Sequence, residues 1–114
     1  MAACHPRRAR RHLALNTLTF SENSVDLARS RGITTVVDNA FCTAALQRPM
    51  EFGADVVAYS ATKLMDGQGR VLAGAVCGSA QFINDVLMPF QRNTGPNLSP
   101  FNAWVVLKGL ETLD

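Results

Sequence analysis

The residues with the chemistry to do work lie in the run Asp55-Val56-Val57-Ala58-Tyr59-Ser60-Ala61-Thr62-Lys63, where an apolar stretch ends in two hydroxyls and an amine. Val56, Val57 and Ala58 suit a buried parallel strand, because a strand covered on both faces reads as an unbroken apolar run. Open α/β sheets bind ligands outside the carboxyl ends of their strands, so Ser60, Thr62 and Lys63 would be delivered to one crevice. Hydroxyls and turn N–H groups can hold a phosphate. A lysine beside them has two roles open to it: pairing with that phosphate, or attacking an aldehyde carbonyl if its pKa is depressed. We read Lys63 as the aldehyde-binding amine. Asp38 ends the preceding apolar run Ile33 to Val37 and places a carboxylate at the carboxyl end of a second strand. Taken alone, Asp38 also suits a turn or helix cap.

Pyridoxal phosphate needs a lysine for a Schiff base, a carboxylate to keep its ring nitrogen protonated, and donors for its phosphate. Lys63, Asp38, and the hydroxyls of Ser60 and Thr62 supply these from the ends of two successive strands. Other chemistry fits less well. Ser60-Ala61-Thr62-Lys63 matches the S-x-x-K motif of serine penicillin-recognising enzymes, but no S-D-N or K-T-G element follows it. Gly67-x-Gly69 lacks the third glycine of a dinucleotide fingerprint.

The elements that must position these residues can be read in order. Met1 to about Phe20 shows no clean period, and this Arg-rich leader is expected to be irregular or disordered. Residues 21–114 form the structured part. Ser21-Glu22-Asn23 caps a short helix that Gly32 ends. Phe41 to Gln47 reads as a loop, and Pro49 opens a brief helix that Gly53 stops. After the strand that leads to Lys63, the small residues of Val71 to Gly78 suit a third strand that another backbone can approach closely. Gln81 to Phe90 is a predicted helix, Gln91 to Leu98 a predicted loop carrying Arg92, and Ser99-Pro100 the N-cap and first residue of a last helix.

Composition limits the alternatives. A chain of 114 residues is at most one domain with a modest core. Arg7, Arg8, Arg10 and Arg11 carry four of its eleven basic residues, so the remainder, with nine acidic residues, sums to −2. With no basic stripe or stacking aromatics beyond the leader, no nucleic-acid partner is expected. No apolar run reaches a membrane span, and the leader lacks the apolar core of a secretory signal. Cys4, Cys42 and Cys77 form neither a CxxC pair nor an even set, which favours a reducing cytoplasm and no metal site.

The sequence resembles the pyridoxal-phosphate enzymes of cysteine and methionine metabolism, the transsulfuration group. The resemblance runs through Val36-Val37-Asp38-Asn39-x-Phe41, Gln47-Arg48-Pro49, Gly53-Ala54-Asp55-Val56-Val57, Ser60-Ala61-Thr62-Lys63, Asp66-Gly67-Gln68-Gly69-Arg70, Gly95-x-x-Leu98-Ser99-Pro100-Phe101-x-Ala103-Trp104 and Leu107 to Leu113. It covers about Leu27 to Asp114. The Asp66-to-Arg70 turn looks most like that of O-succinylhomoserine sulfhydrylases; cystathionine γ-synthases and lyases are the neighbouring branches.

The resemblance implies an α/β fold, a fragment of the fold-type I large domain with a mostly parallel sheet flanked by helices. It implies that Lys63 forms the Schiff base and shuttles protons, that Asp38 pairs with the ring nitrogen, and that Ser60 and Thr62 hold the phosphate. The implied reaction replaces the activated γ-substituent of an O-acyl-homoserine with a sulfur nucleophile, in a family of homotetramers. Family features expected upstream are missing: a glycine-containing phosphate loop, a tyrosine stacked on the cofactor, and a Ser-Asn-Pro stretch that would fall near His12 to Ala14. The domain with the substrate-gripping arginine is missing too. Ala44, Tyr59 and Ala73 stand where proline, histidine and glycine are usual.

Overall fold

The computed structural model describes residues 12–16 and 22–113, with side chains from residue 23 onward. Its centre is a four-stranded sheet in the spatial order β1-β2-β3-β4, formed by His12–Asn16, Thr34–Asp38, Val56–Ser60 and Gly74–Gly78. β1 runs parallel to β2 and β2 parallel to β3, whereas β4 is antiparallel to β3. The expected mostly parallel α/β sheet is therefore present, closed on one side by an antiparallel strand. Gly74 sits opposite Ser60 in that pairing, and a Cβ on Gly74 would stand 3.1 Å from the Tyr59 carbonyl oxygen. The close backbone approach expected from the small residues of Val71 to Gly78 occurs there.

β1 lies within Met1 to about Phe20, where mostly irregular structure was expected, and corrects that expectation for His12–Asn16. His12–Asn16 pairs in register with Thr34–Asp38, from His12 opposite Thr34 to Asn16 opposite Asp38. Strand status here comes from hydrogen bonds to residues about twenty positions away, which a five-residue window does not reveal. The rest of the leader lies outside the described residues.

α1 (Glu22–Ser30) buries Val25 and Ala28 and ends where Gly32, at φ +64°, donates its N–H to the Arg29 carbonyl. The segment expected to be a loop after β2 contains one helical turn, α2 (Thr43–Leu46). Pro49–Phe52 then makes a 3₁₀ turn, stopped by Gly53 at φ +89°. Beyond β4 the chain stays helical longer than expected, through α3 (Ala80–Phe82), a wide turn at Ile83–Leu87, and α4 (Met88–Thr94). Pro89 has no N–H to give the preceding turn, which accounts for the widening before it. Gly95, at φ +80°, ends that helix inside the segment expected to be loop. Ser99 caps α5 (Pro100–Leu110), its hydroxyl accepting from the Asn102 N–H at 3.2 Å.

The core is small. Val37 and Val57, neighbours in the β2–β3 register, are fully buried and pack with Ala54 and the partly buried Tyr59. Asp55 joins the two strands at their starts, its carboxylate accepting from both the N–H and hydroxyl of Thr35 at 2.8 Å. Large apolar side chains remain uncovered elsewhere: Leu72 is 83% exposed, Leu46 76%, Phe101 70% and Phe41 69%.

Candidate active site

Asp38 is the last residue of β2 and Ser60 the last of β3. Because β2 and β3 are parallel and Asp38 lies opposite Ala58, the carboxylate and the Ser60–Lys63 turn emerge at the same end of the sheet. The topology thus brings Asp38, Ser60, Thr62 and Lys63 to one edge, as expected from their strand positions. A cleft of about 410 Å³, lined by Thr34, Asp55, Val56, Phe82 and Asp85 among others, opens at the other end of these strands. It is separate from this group.

On the β2 side, the Asp38 carboxylate accepts from the Ala40 N–H at 3.0 Å, which fixes it as an acceptor beside the strand end. The next residue, Asn39, is completely buried; the sequence singled it out only as part of the Val36-to-Phe41 motif. Its side-chain amide donates to the Thr43 and Gln47 carbonyls, both at 2.9 Å, and its backbone N–H donates to the Ala58 carbonyl of β3 at 2.8 Å. Asn39 therefore ties the strand end, the α2 loop and β3 together. Thr43 in that loop has φ +58°, an uncommon value for a β-branched residue, and its buried side chain holds the turn by accepting from the Ala45 N–H.

On the β3 side, Ser60 Oγ has no hydrogen-bond partner among the described residues. Thr62 is different: its hydroxyl donates to the Ala73 carbonyl at 3.2 Å and accepts from the Ala73 N–H at 2.9 Å. The backbone N–H groups of Ala61 and Thr62 also reach the Ala73 carbonyl. Of the two hydroxyls singled out by sequence, that of Ser60 is uncommitted and that of Thr62 is engaged in the turn. Lys63 is exposed, and its amine makes no ion pair among the described residues. Its backbone departs from helical values at φ −90° and ψ −124° within the wide turn Ala61–Met65.

Sequence reasoning did not single out Asp66 as a side chain, although it is only 1% exposed. One carboxylate oxygen accepts from the Arg70 N–H at 2.6 Å; the other accepts from Arg70 Nε at 2.9 Å and faces its terminal guanidinium nitrogen at 2.7 Å. Burial pushes the Asp66 carboxyl up, but the Arg70 backbone N–H, its guanidinium and the Gln68 N–H outweigh this and hold it below its ordinary value. The Asp-x-x-x-Arg spacing was legible; the burial that makes it a closed ion pair was not.

Comparison with known proteins identifies relatives of the chain. Residues 18–114 match the family described as Cys/Met metabolism PLP-dependent enzyme, starting ahead of the Leu27 limit set by the motifs. The chain is 54% identical over 88 residues to O-succinylhomoserine sulfhydrylase of Pseudomonas aeruginosa, covering 77% of this chain and 22% of that protein. It is 43% identical over 98 residues to L-methionine gamma-lyase of Porphyromonas gingivalis, covering 84% and 25%. Among solved structures, cystathionine gamma synthase from Xanthomonas oryzae pv. oryzae in complex with cystathionine superposes with a TM-score of 0.84 at 34% identity, covering 91% of this chain and 29% of that one. The chain thus spans about a quarter of the length of the curated relatives it matches. Motifs, sheet topology and these similarities agree: the chain belongs to the Cys/Met metabolism PLP-dependent enzyme family.

Proposed function

We propose that this chain carries the cofactor-lysine segment of a transsulfuration enzyme of the O-succinylhomoserine sulfhydrylase kind. In this reading Asp38, Ser60, Thr62 and Lys63 hold pyridoxal phosphate. The enzyme replaces the activated γ-substituent of an O-acyl-homoserine with a sulfur nucleophile, giving homocysteine. The observation that carries the reading is the pairing of an uncommitted Ser60 hydroxyl with an unpaired Lys63 amine at the end of β3, beside Asp38 at the same end of β2. Identity to the sulfhydrylases and the Asp66-to-Arg70 turn support that branch over the γ-lyase and cystathionine γ-synthase relatives.

The residues present fit the cofactor. Ser60 has a proton to donate to a phosphate oxygen, and among the described residues the Lys63 amine has no competing carboxylate. Asp38, held as an acceptor by the Ala40 N–H, suits the proton of a ring nitrogen. Pyridoxal phosphate, when bound, supplies a protonated ring that withdraws electrons from the substrate's α-carbon. Around it, Asp38 retains the ring proton, Ser60 orients the phosphate, and Lys63 takes up and returns protons at the substrate carbons. Thr62 contributes its hydroxyl to the phosphate only by turning its proton away from the Ala73 carbonyl.

Borohydride reduction after incubation with pyridoxal phosphate tests this. Lys63 and Lys108 are the chain's two lysines, and Lys108 is paired with Glu111 at 2.6 Å, far along the sequence from the site. Mass spectrometry is expected to find the cofactor fixed on Lys63 in preference to Lys108. Equal labelling of the two overturns the reading.

A second reading, favoured by the exposure of Leu72, Leu46, Phe101 and Phe41, is a non-catalytic chain that associates with a full-length homologue. Co-purification with such a homologue, without fixation on Lys63, is its expected signature.

A further inference from the structure

Lys63 is exposed and its amine makes no ion pair among the described residues, yet the residues on either side of it are tied to one loop. Before it, Thr62 is bound through hydroxyl and backbone to Ala73. After it, Asp66 is bound through both carboxylate oxygens to Arg70. The Lys63 carbonyl accepts from the Gly67 N–H at 2.9 Å and from the Asp66 N–H. Gly67 and Gly69, at φ +70° and +67°, let the chain close tightly enough for Arg70 to return to Asp66.

A third contact comes from α5. A Cβ on Gly109 would stand 2.5 Å from the Met65 carbonyl oxygen and 2.6 Å from Asp66 Cα, so the helix backbone rests directly on the turn. Asp66 is thus enclosed: two guanidinium nitrogens of Arg70 converge on one carboxylate oxygen while the Arg70 backbone N–H holds the other, charge-assisted contacts that fix the carboxylate's direction as well as its distance. Loss of the Arg70 guanidinium would leave the Asp66 carboxylate buried without its counter-charge, whereas the Arg70 side chain is 37% exposed.

We propose that Asp66, clamped by Arg70 and backed by Gly109, is a positioning residue that sets the direction in which Lys63 leaves the end of β3. The inference rests on the reading of Lys63 as the aldehyde-binding amine. Asp66 need not touch the cofactor. It acts by restricting the backbone from Ala61 to Gly67, and a small displacement of a reacting amine is enough to slow its attack on a positioned carbonyl.

The test compares the parent chain with Asp66→Asn, Arg70→Met and Arg70→Lys, using two readouts. The first is the ratio of Lys63 to Lys108 fixation by pyridoxal phosphate and borohydride. The second is amide hydrogen exchange over Ala61 to Gly67 without cofactor. Asp66→Asn and Arg70→Met are expected to lower the ratio about tenfold, leave Lys108 labelling unchanged and speed exchange in the turn. Arg70→Lys, which keeps the charge and the backbone N–H contact but not the two guanidinium nitrogens converging on one oxygen, is expected to fall between them and the parent. A parent that prefers Lys63 while all three variants stay within about twofold of it overturns the positioning role and leaves the reading of Lys63 intact. A parent with no preference overturns that reading instead; the exchange data then decide the clamp, and unchanged exchange in the variants rejects it. If Asp66→Asn does not fold, the two Arg70 variants decide by the same criteria.

Discussion

Gly109 of α5 lies against Asp66 so closely that a single added carbon would overlap the backbone, 2.6 Å from Asp66 Cα and 2.9 Å from its carbonyl oxygen. The last helix is therefore seated on the turn that follows Lys63 through backbone contact, and Val105 one turn earlier is buried on the same side. The Asp66 Cα, its carbonyl oxygen and the Met65 carbonyl oxygen at 2.5 Å are all backbone and cannot rotate away, so the contact is unforgiving.

Gly109→Ala is accordingly expected to destabilise the chain by about 1–3 kcal/mol through overpacking, despite alanine's better helix propensity. Leu107→Ala, on the exposed side of the same helix, is expected to change stability by about 0.5 kcal/mol or less. Urea denaturation of both variants checks the contrast, and equal midpoints would show that α5 does not rest on the turn.

The Asp66–Arg70 pair predicts a pH dependence. Its folded pKa lies below the ordinary 3.8, so the stability it contributes is present above that value and is lost as pH falls through the depressed folded pKa. The difference in stability between the parent and Asp66→Asn should therefore be constant near neutrality and shrink in acid. Denaturation midpoints across a pH series measure it; a difference that grows as acid is added contradicts the assignment.

Thr62 is predicted to matter to the loop through its hydroxyl. Thr62→Val keeps the shape but removes the group that both donates to and accepts from Ala73, leaving the Ala73 N–H without its partner. A loss of about 1–3 kcal/mol is expected, with Thr62→Ser recovering most of it. Faster amide exchange at Ala73 in the valine variant would locate the effect.

Asn39 carries a comparable expectation on the other strand. Asn39→Ala removes donors to the Thr43 and Gln47 carbonyls and opens a space at a completely buried position. A cost of about 1–3 kcal/mol is expected, together with weaker fixation of pyridoxal phosphate on Lys63, since the loop beside Asp38 would no longer be tied to β3. Fixation unchanged in a destabilised variant would confine Asn39 to stability.

The sequence by itself determined which residues occupy the strand ends and the family the chain belongs to. An apolar run followed by Ser60, Thr62 and Lys63, and another followed by Asp38, specify those positions locally, because burial on both faces demands unbroken apolar residues. The α1 stop at Gly32 and the Ser99-Pro100 start of α5 were legible for the same reason: caps are local chemistry. Only the tertiary structure decided the rest. β1 exists because β2 offers it a parallel edge, and the antiparallel course of β4 is set by its pairing with β3. The uncommitted state of Ser60, the engagement of Thr62 with Ala73 and the burial of Asp66 depend on what comes to lie next to each, through contacts with loops and helices up to 43 residues away, as Gly109 is from Asp66. Such contacts follow from the folded path of the chain, and residue type and spacing do not encode them locally.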